Sequence, residues 1–281
     1  MMTPAMIRGL HVEERDGILR YLHADRQAEL AGFRDQYRSV RERDGYRVDT
    51  PEYYRALPST PSSDPQHAIW QVRQHSFERF QQMVHARFRG RTPSVLDLGA
   101  GNGWLSHRMT LGGCHAVAVD VHDDDRDGLG AGRHYTVPFC RLQADFDELP
   151  FAPRQFDVVV FNGSLHYAPN VRATLTRVAP LVAPGGVMAV IDSPMFECPD
   201  AGAAMRHRTR ERFRREYGVT DAIEPGEGFL LFATLADTAR VLGFDAHFFE
   251  SRGGMQWTIG RLAGRVRHGI QQPSFGVWWA A

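Results

Sequence analysis

The feature that most constrains this chain is a run of eleven residues, 95–105, which reads VLDLGAGNGWL. A short apolar stretch leads to an acid, Asp97, and glycines then stand at Gly99, Gly101 and Gly103. Glycine adopts positive φ at no steric cost and lets a ligand approach the backbone without a Cβ in the way. A helix that begins directly after such a turn offers unpaired N–H groups to that ligand. The run therefore predicts a strand, a nucleotide-binding loop and a helix.

The spacing of these glycines distinguishes between two classes of nucleotide-binding loop. A dinucleotide fingerprint reads G-x-G-x-x-G, and its third small residue lets the helix pack closely on the strand. Here that position holds Trp104, and the glycines follow the spacing G-x-G-x-G. With an acid two places before the first glycine, the run resembles motif I of the class I S-adenosylmethionine (SAM)-dependent methyltransferases. A NAD-dependent oxidoreductase is the alternative, and Trp104 disfavours it.

Two further strand ends carry acids in the order found in that family. The segment AVAVD ends at Asp120, and an acid at roughly this distance from the loop accepts hydrogen bonds from the ribose in dinucleotide folds. The resemblance implies the same role for Asp120, with Val121 beside it. It also implies that the segment CRLQADF contributes Asp145, which accepts from the adenine amino group, and Phe146, which lies beside the ring.

Two later segments narrow the resemblance. Residues 149–160, LPFAPRQFDVVV, and residues 181–187, LVAPGGV, resemble the L-P-F…F-D-V-V signature and the L-x-P-G-G turn of the small-molecule "type 11" methyltransferases, which include enzymes of quinone biosynthesis. The resemblance implies a Rossmann-like, doubly wound α/β fold with a seven-stranded sheet. It implies SAM as the cofactor, S-adenosylhomocysteine (SAH) as its product and a small organic acceptor. The cofactor-binding residues expected from motif I and the later strand ends are Asp97, Gly99, Ala100, Gly101, Asn102, Gly103, Asp120, Val121, Asp145, Phe146, Asn162 and Gly163.

We expect two parts in the chain. Residues 1–92 would form an N-terminal helical extension or cap, in which 12–43 carry apolar side chains at helical spacing. Residues 93–281 would form the methyltransferase domain, with a charged, helical 197–230 as a possible lid. The acids and glycines of 123–132 are poor helix formers, so the helix that normally follows the second strand should be short or displaced.

Residues 232–279 continue the alternation of predicted helices and strands. Residues 232–242 predict a helix and 246–250 a strand, and a helical stretch after Gly254 precedes a last strand at 275–279.

Arg73 interrupts the apolar stripe of a predicted helix that ends near Phe88. An unpaired buried charge costs several kcal/mol, so this guanidinium needs either solvent or an acceptor. It can extend along the helix surface into water, or it can reach the SAM carboxylate or hold a motif I acid. The stripe consists of Trp70, Phe77, Phe80, Val84 and Phe88.

Acceptor chemistry is expected after the fourth strand of the domain, in NGSLHYAP. His166 is the first group there that titrates near neutral pH, so it is a candidate general base, or it only packs beside the cofactor. Asp192, at the end of the next strand, is a second candidate for catalysis or substrate orientation, or it caps the following turn. Asn162 and Asp192 hardly fill a magnesium shell, so a metal-independent reaction is expected.

Composition excludes some partners. The formal net charge is zero, which disfavours nucleic acid as the substrate. No run of about 18 uncharged apolar residues and no signal-like N-terminus is present, which predicts a cytoplasmic protein without a membrane partner. Nothing in the sequence indicates an oligomeric state. A non-catalytic SAM-binding protein of the same fold is the other alternative.

Overall fold

The computed structural model describes residues 12–220, 225–251 and 271–281. The strands among these residues are β1 (Glu13–Arg15), β2 (Ile18–Arg20), β3 (Ser94–Leu98), β4 (His115–Asp120), β5 (Cys140–Gln143), β6 (Phe156–Asn162), β7 (Val182–Ile191), β8 (Met195–Phe196), β9 (Leu230–Leu231), β10 (Ala246–Glu250) and β11 (Gly276–Ala280). The helices are α1 (Ala24–Arg43), α2 (Pro51–Ala56), α3 (His67–Arg87), α4 (Trp104–Leu111), α5 (Val171–Val178), α6 (Pro199–Tyr217) and α7 (Phe232–Val241). Short 3-10 turns lie at Leu129–His134, Leu165–Tyr167 and Ala179–Leu181.

One mixed sheet organises the fold, with the strand order β1-β2-β5-β4-β3-β6-β7-β11-β10. The strands from β2 to β7 in this order are parallel, and β11 is antiparallel to both of its neighbours. From β3 the chain first builds outward through β4 and β5 and then crosses to β6. In open α/β sheets, ligands bind at the carboxyl ends of the strands beside such a reversal.

The expected doubly wound, seven-stranded α/β sheet is confirmed by the run from β5 to β10. Side chains of successive strand residues point to opposite faces of a sheet. Leu96 and Val119 accordingly join an apolar layer that includes residues of α5 and α7. Val95 and Val158 join the opposite layer, which includes residues of α3 and α4.

The N-terminal region departs from the sequence expectation in one respect. Helix α1 begins only at Ala24, and the residues before it form the hairpin β1-β2, so the predicted helix over 12–43 was wrong in its first part. The reason is the turn at Asp16 and Gly17, which have φ values of 56° and 70°. An Asp-Gly pair with positive φ at both positions suits a tight two-residue hairpin. Strand β2 then pairs in parallel with β5 and enlarges the sheet to nine strands within the described residues.

Other expectations for single elements can be compared directly. Helix α7 and strand β10 lie where predicted, and β11 begins one residue later than predicted. The predicted helical stretch after Gly254 lies outside the described residues. In the described part of the chain, β4 and β5 are joined by a loop and the Leu129–His134 turn, which agrees with the poor helix-forming sequence there. None of the described helices is long and apolar enough to cross a membrane.

Candidate functional site

The glycine loop after β3 is shaped by three left-handed residues. Gly99, Gly101 and Gly103 have φ values of 71°, 55° and 78°. A Cβ added to Gly99 would lie 2.3 Å from the Ser164 Cβ, so this position is filled by the protein itself. A Cβ added to Gly101 would find its nearest neighbour, the Asp127 carbonyl oxygen, at 3.7 Å. The backbone at Gly101 therefore borders free space that a ligand can use.

Asp120 closes this loop from the end of β4. Its Oδ2 accepts a hydrogen bond from the Gly101 N–H at 2.7 Å, and its Oδ1 accepts one from the His122 N–H at 2.7 Å. Burial raises the pKa of Asp120 to about 6, although both N–H groups oppose this shift. The carboxylate thus fixes the loop and also lies in the wall of the adjoining cleft.

We name this space of about 80 Å³ the glycine-loop cleft. Its lining includes six residues predicted to bind the cofactor: Gly99, Gly101, Asp120, Val121, Phe146 and Gly163. The remaining lining residues are Phe33, Tyr37, His122, Asp127, Ala144, Ser164 and Tyr167. Phe146 also packs edge-to-face on Phe161, with 5.7 Å between the ring centroids.

Helix α1 covers the glycine-loop cleft, and the contacts it makes there were not predicted from the sequence. Phe33 and Tyr37 project from α1 onto His122, with ring centroids 5.7 and 4.7 Å from the imidazole centroid. The helical spacing of these two aromatic residues was visible in the sequence, but it did not say what they would contact. Phe33 and Tyr37 thus form the part of the cleft lining that α1 contributes.

Ion pairs hold α1 in this position. Arg34 contacts one Asp123 oxygen at 2.7 Å, and Arg20 of β2 contacts the other at 2.5 Å. Arg41 binds both carboxylate oxygens of Asp127, at 2.5 and 2.9 Å. The acid-rich segment directly after β4 does not form a helix. Its carboxylates instead bind the arginines of the N-terminal region.

Several predicted residues support the loop from outside the glycine-loop cleft. Asp97 accepts a hydrogen bond from Ser106 Oγ at 2.8 Å, and burial raises its pKa to about 7. Asn102 Oδ1 accepts a hydrogen bond at 3.1 Å from the N–H of Trp104, the first residue of α4. Ala100 and Gly103 lie in the same turn. The cofactor contacts predicted for these residues stay predictions.

Asp145 and Asn162 are also absent from the lining of the cleft described above. Arg26 of α1 binds Asp145 Oδ2 through Nε and a terminal nitrogen, at 2.8 and 2.7 Å. Asp145 Oδ1 accepts from the Asp147 N–H at 3.0 Å. Asn162 is the half-buried last residue of β6. An adenine contact by Asp145 stays a prediction, and it would have to be made beside this arginine.

A second cavity of about 250 Å³ adjoins the glycine-loop cleft. Tyr37, Gly163 and Tyr167 line both spaces and form their common boundary. The other residues of the second cavity are Arg41, Tyr46, Ile69, Val72, Arg73, His166, Asp192, Pro194 and Phe275. The two residues predicted to be catalytic thus face one space, next to the glycine loop.

His166 is a weak proton acceptor in this setting. Its Nδ1 lies 3.2 Å from Ser193 Oγ, and its ring centroid lies 4.2 Å from that of Tyr167. Burial, together with the positive charge of Arg73, lowers the pKa of His166 to about 3. The ring is therefore neutral at neutral pH and has little tendency to take up a proton.

Asp192 is a buried carboxyl group whose surroundings favour proton exchange near neutral pH. It follows β7 with a φ of 55°, a left-handed conformation that is uncommon outside glycine. Ser76 Oγ donates to its Oδ1 at 2.5 Å, and its buried Oδ2 has no partner among the described residues. Burial raises the pKa of Asp192 to about 6, while Ser76 and Arg73 act in the opposite direction. A carboxyl group of this kind can exchange a proton near neutral pH.

Arg73 lines the second cavity and is absent from the glycine-loop cleft. Its Cζ lies 4.6 Å from the centroid of the Trp70 ring. The described residues contain no group of three or more His, Cys, Asp or Glu side chains arranged to hold a metal ion.

Comparisons with known proteins bear on the glycine loop and the strands around it. A family model described as "Methyltransferase domain" (Methyltransf_11) matches residues 96–190. An uncharacterized methyltransferase of Mycobacterium tuberculosis is 35% identical over 118 residues, 42% of this chain and 58% of that protein. A malonyl-[acyl-carrier protein] O-methyltransferase of Erwinia pyrifoliae is 28% identical over 162 residues, 58% of this chain and 60% of that protein. The chain thus spans about three fifths of the length of these curated relatives.

The likeness to solved structures extends over more of the chain. Magnesium protoporphyrin IX methyltransferase from Synechocystis PCC 6803, solved with bound SAH, superposes with a TM-score of 0.57 at 14% identity. The match covers 89% of this chain and 98% of that one. At this identity, the likeness shows a shared fold.

Proposed function

We propose that the protein transfers a methyl group from SAM to a small organic acceptor, since residues 96–190 match a family model described as a methyltransferase domain. The observation that carries the proposal is the common boundary of the two cavities. Tyr37, Gly163 and Tyr167 line both the glycine-loop cleft and the second cavity. A cofactor in the first space and an acceptor in the second would therefore be adjacent.

The residues of the glycine-loop cleft fit a nucleoside cofactor. Gly101 leaves free space where a side chain would otherwise stand, and Asp120 presents a carboxylate at the end of the neighbouring strand. Phe146 and Tyr37 supply aromatic side chains to the walls of the cleft. In this arrangement the adenosine part would lie along β4 and β5, as ligands do in open α/β sheets.

The acceptor would be activated by the second cavity. Bound SAM supplies an electrophilic methyl group on a positively charged sulfur. We propose that the cavity holds the acceptor in line with that methyl group, since orientation alone can supply roughly 7–11 kcal/mol of the barrier reduction. For a hydroxyl acceptor, Asp192 would accept the proton through Oδ2. The acceptor oxygen would form the new bond to the methyl carbon while the bond from that carbon to sulfur breaks, so that neutral SAH is the leaving group. The O-methyltransferase name of the Erwinia relative supports oxygen as the acceptor atom.

His166 would pack beside the cofactor in this proposal, because its low pKa makes it a poorer base than Asp192. We further propose that the reaction needs no metal ion and that nucleic acid is not the acceptor, in line with the zero net charge. Residues 1–92 would act as the cap, since α1 covers the cleft, and α6 would form part of a lid.

Two measurements test the function. Calorimetry should detect SAH binding, and a panel of small hydroxylated acids and alcohols should contain an acceptor that takes up the SAM methyl group, with or without EDTA. Absence of heat and of a thermal shift at millimolar SAH would disprove the proposed function. Binding without turnover on any panel member would favour the non-catalytic alternative, and stabilisation by NAD(H) alone would favour an oxidoreductase.

Asp120→Ala is expected to weaken SAH binding by about 10- to 100-fold, because hydrogen bonds to a charged acceptor contribute about 1.5–3 kcal/mol. The variant loses the carboxylate that holds the Gly101 N–H and lines the cleft. Asp157→Ala is the matched control, since Asp157 is a buried carboxylate that also accepts a backbone N–H, at the opposite end of the sheet. Calorimetry should show near-normal affinity for the control. Equal affinities of the two variants would remove Asp120 from the cofactor site.

A further inference from the structure

We propose that the second cavity selects an acceptor that carries both a carboxylate and a hydroxyl group on a planar apolar body. In this arrangement the guanidinium of Arg73 binds the carboxylate, and a small rotation of the buried Asp192 carboxylate brings its unpartnered Oδ2 to the hydroxyl group, whose hydrogen bond it accepts. The inference rests on the methyltransferase function proposed above and names its substrate class, a small aromatic hydroxy acid.

Arg73 is a cation without an ion-pair partner among the described residues. Its Cζ lies 4.6 Å from the centroid of the Trp70 ring and 5.9 Å from that of Tyr46. Trp70 is buried, with 1% of its surface exposed, so its ring is a fixed platform for the guanidinium. Stacking on ring faces leaves the N–H donors of the guanidinium free for a ligand.

The other arginine of the second cavity is already neutralised. Arg41 gives N–H groups to both oxygens of Asp127 and lies 3.5 Å from the Tyr46 ring centroid. Arg73 therefore supplies the positive charge in the described lining of this cavity that is not held in an ion pair. A carboxylate suits this group best, because it accepts two parallel hydrogen bonds from a guanidinium.

Asp192 faces the same cavity with the opposite charge, yet it forms no ion pair with Arg73 in the described structure. The buried Ser76 hydroxyl holds Asp192 Oδ1 at 2.5 Å and leaves Oδ2 without a partner. A single ligand satisfies both groups if it brings an acceptor to Arg73 and a donor to Asp192. A neutral alcohol would leave Arg73 unpaired, and a carboxylate without a hydroxyl group would leave Oδ2 unpaired. His166, the neighbouring titratable group, is neutral and adds no charge.

The remaining walls define the body of the ligand. They are aromatic or aliphatic and are supplied by Tyr37, Tyr46, Ile69, Val72, Tyr167 and Phe275. The volume of about 250 Å³ lies below the range of roughly 300–1,000 Å³ that is typical of drug-sized pockets. A single-ring hydroxy acid fits the size of the cavity, the apolar side chains among these walls and the polar groups beside them.

The test uses the full chain saturated with SAH and two probes of nearly equal shape, para-hydroxybenzoate and para-hydroxybenzamide. We expect the acid to bind more tightly than the amide by about 10- to 100-fold in calorimetry, the effect of hydrogen bonds to a charged group. Arg73→Gln should remove this preference and leave SAH affinity nearly unchanged. Arg79→Gln is the matched control, because Arg79 is an exposed arginine on the same helix outside this cavity. It should bind both probes as the parent does.

The possible results separate the two proposals. Equal binding of acid and amide, or no binding of either probe at millimolar concentration, with SAH binding intact, would overturn the acceptor class and leave the proposed function standing. A loss of SAH affinity in Arg73→Gln of about 10-fold or more would also overturn it, because the guanidinium would then bind the cofactor carboxylate. Absence of SAH binding in the parent protein would instead disprove the proposed function itself.

Discussion

Gly101→Val is expected to abolish measurable SAH binding while the protein stays folded. Gly101 has a φ of 55° and borders the glycine-loop cleft, and a Cβ at this position would lie no closer than 3.7 Å to any described residue other than its two chain neighbours. The valine side chain would therefore project into space that the cofactor needs. Adding methyl groups to a filled site costs roughly 1–3 kcal/mol even when the neighbours relax, and a cofactor held against the backbone can relax little. The affinity should fall by about 100-fold or more.

The backbone strain of this substitution needs its own control. A left-handed conformation costs a residue with a Cβ roughly 1–2 kcal/mol, wherever it occurs. Gly90→Val carries the same kind of strain, because Gly90 has a φ of 76° and open space around it, in a turn after α3. Thermal unfolding should show similar destabilisation of both valine variants, and calorimetry should show normal SAH binding only for Gly90→Val. Gly101→Ala, with a smaller side chain, should give an intermediate affinity. Normal binding by Gly101→Val would mean that the loop is only structural.

Local sequence signals were sufficient to predict the glycine loop and the sheet around it. Glycine at three fixed positions indicates a loop with positive φ at each of them. Short apolar segments that end in acids are typical of buried parallel strands. Asp120 therefore lies where the resemblance placed it. The hairpin before α1 was missed although Asp16-Gly17 is a strong hairpin signal, because the charged residues around it were interpreted as part of a helix.

The second cavity could not be predicted in the same way, because it depends on contacts between distant parts of the chain. The sequence showed an arginine on an apolar stripe, but the surroundings of Arg73 are decided by how α3 packs against β7 and β11. The pairing of Arg34 and Arg41 with the acids after β4 has the same origin. Complementary charge in the two segments was visible and a cap was expected, whereas the ion pairs that hold α1 over the cleft required the tertiary structure.

Asp192 is expected to lower the stability of the folded protein at neutral pH. Its folded-state pKa of about 6 lies above the ordinary value of 3.8, so the native state binds a proton more tightly than the unfolded chain does. The stability contributed by this group is fully present below the unfolded pKa and is lost as pH rises through about 6. At neutral pH the ionised group lowers the free energy of unfolding by about 1–3 kcal/mol. A purely structural carboxylate would be expected to find a better partner than one buried serine.

Asp192→Asn is therefore expected to lower kcat by about 10²- to 10⁴-fold for a hydroxyl acceptor and to leave the protein at least as stable at neutral pH. Asparagine tolerates the φ of 55° and can still accept the Ser76 hydrogen bond, but it cannot take up a proton. In the parent protein the rate should fall as pH decreases through about 6, because protonation removes the base. This acidic limb should vanish in Asp192→Asn and persist in His166→Ala, whose main effect should be a higher Kd for SAH.

Asp157→Asn is the control for a buried carboxylate far from both cavities, and its kcat should stay normal. If His166→Ala instead removed the limb and lowered kcat with SAH affinity intact, the histidine would be the base and Asp192 would only orient the acceptor.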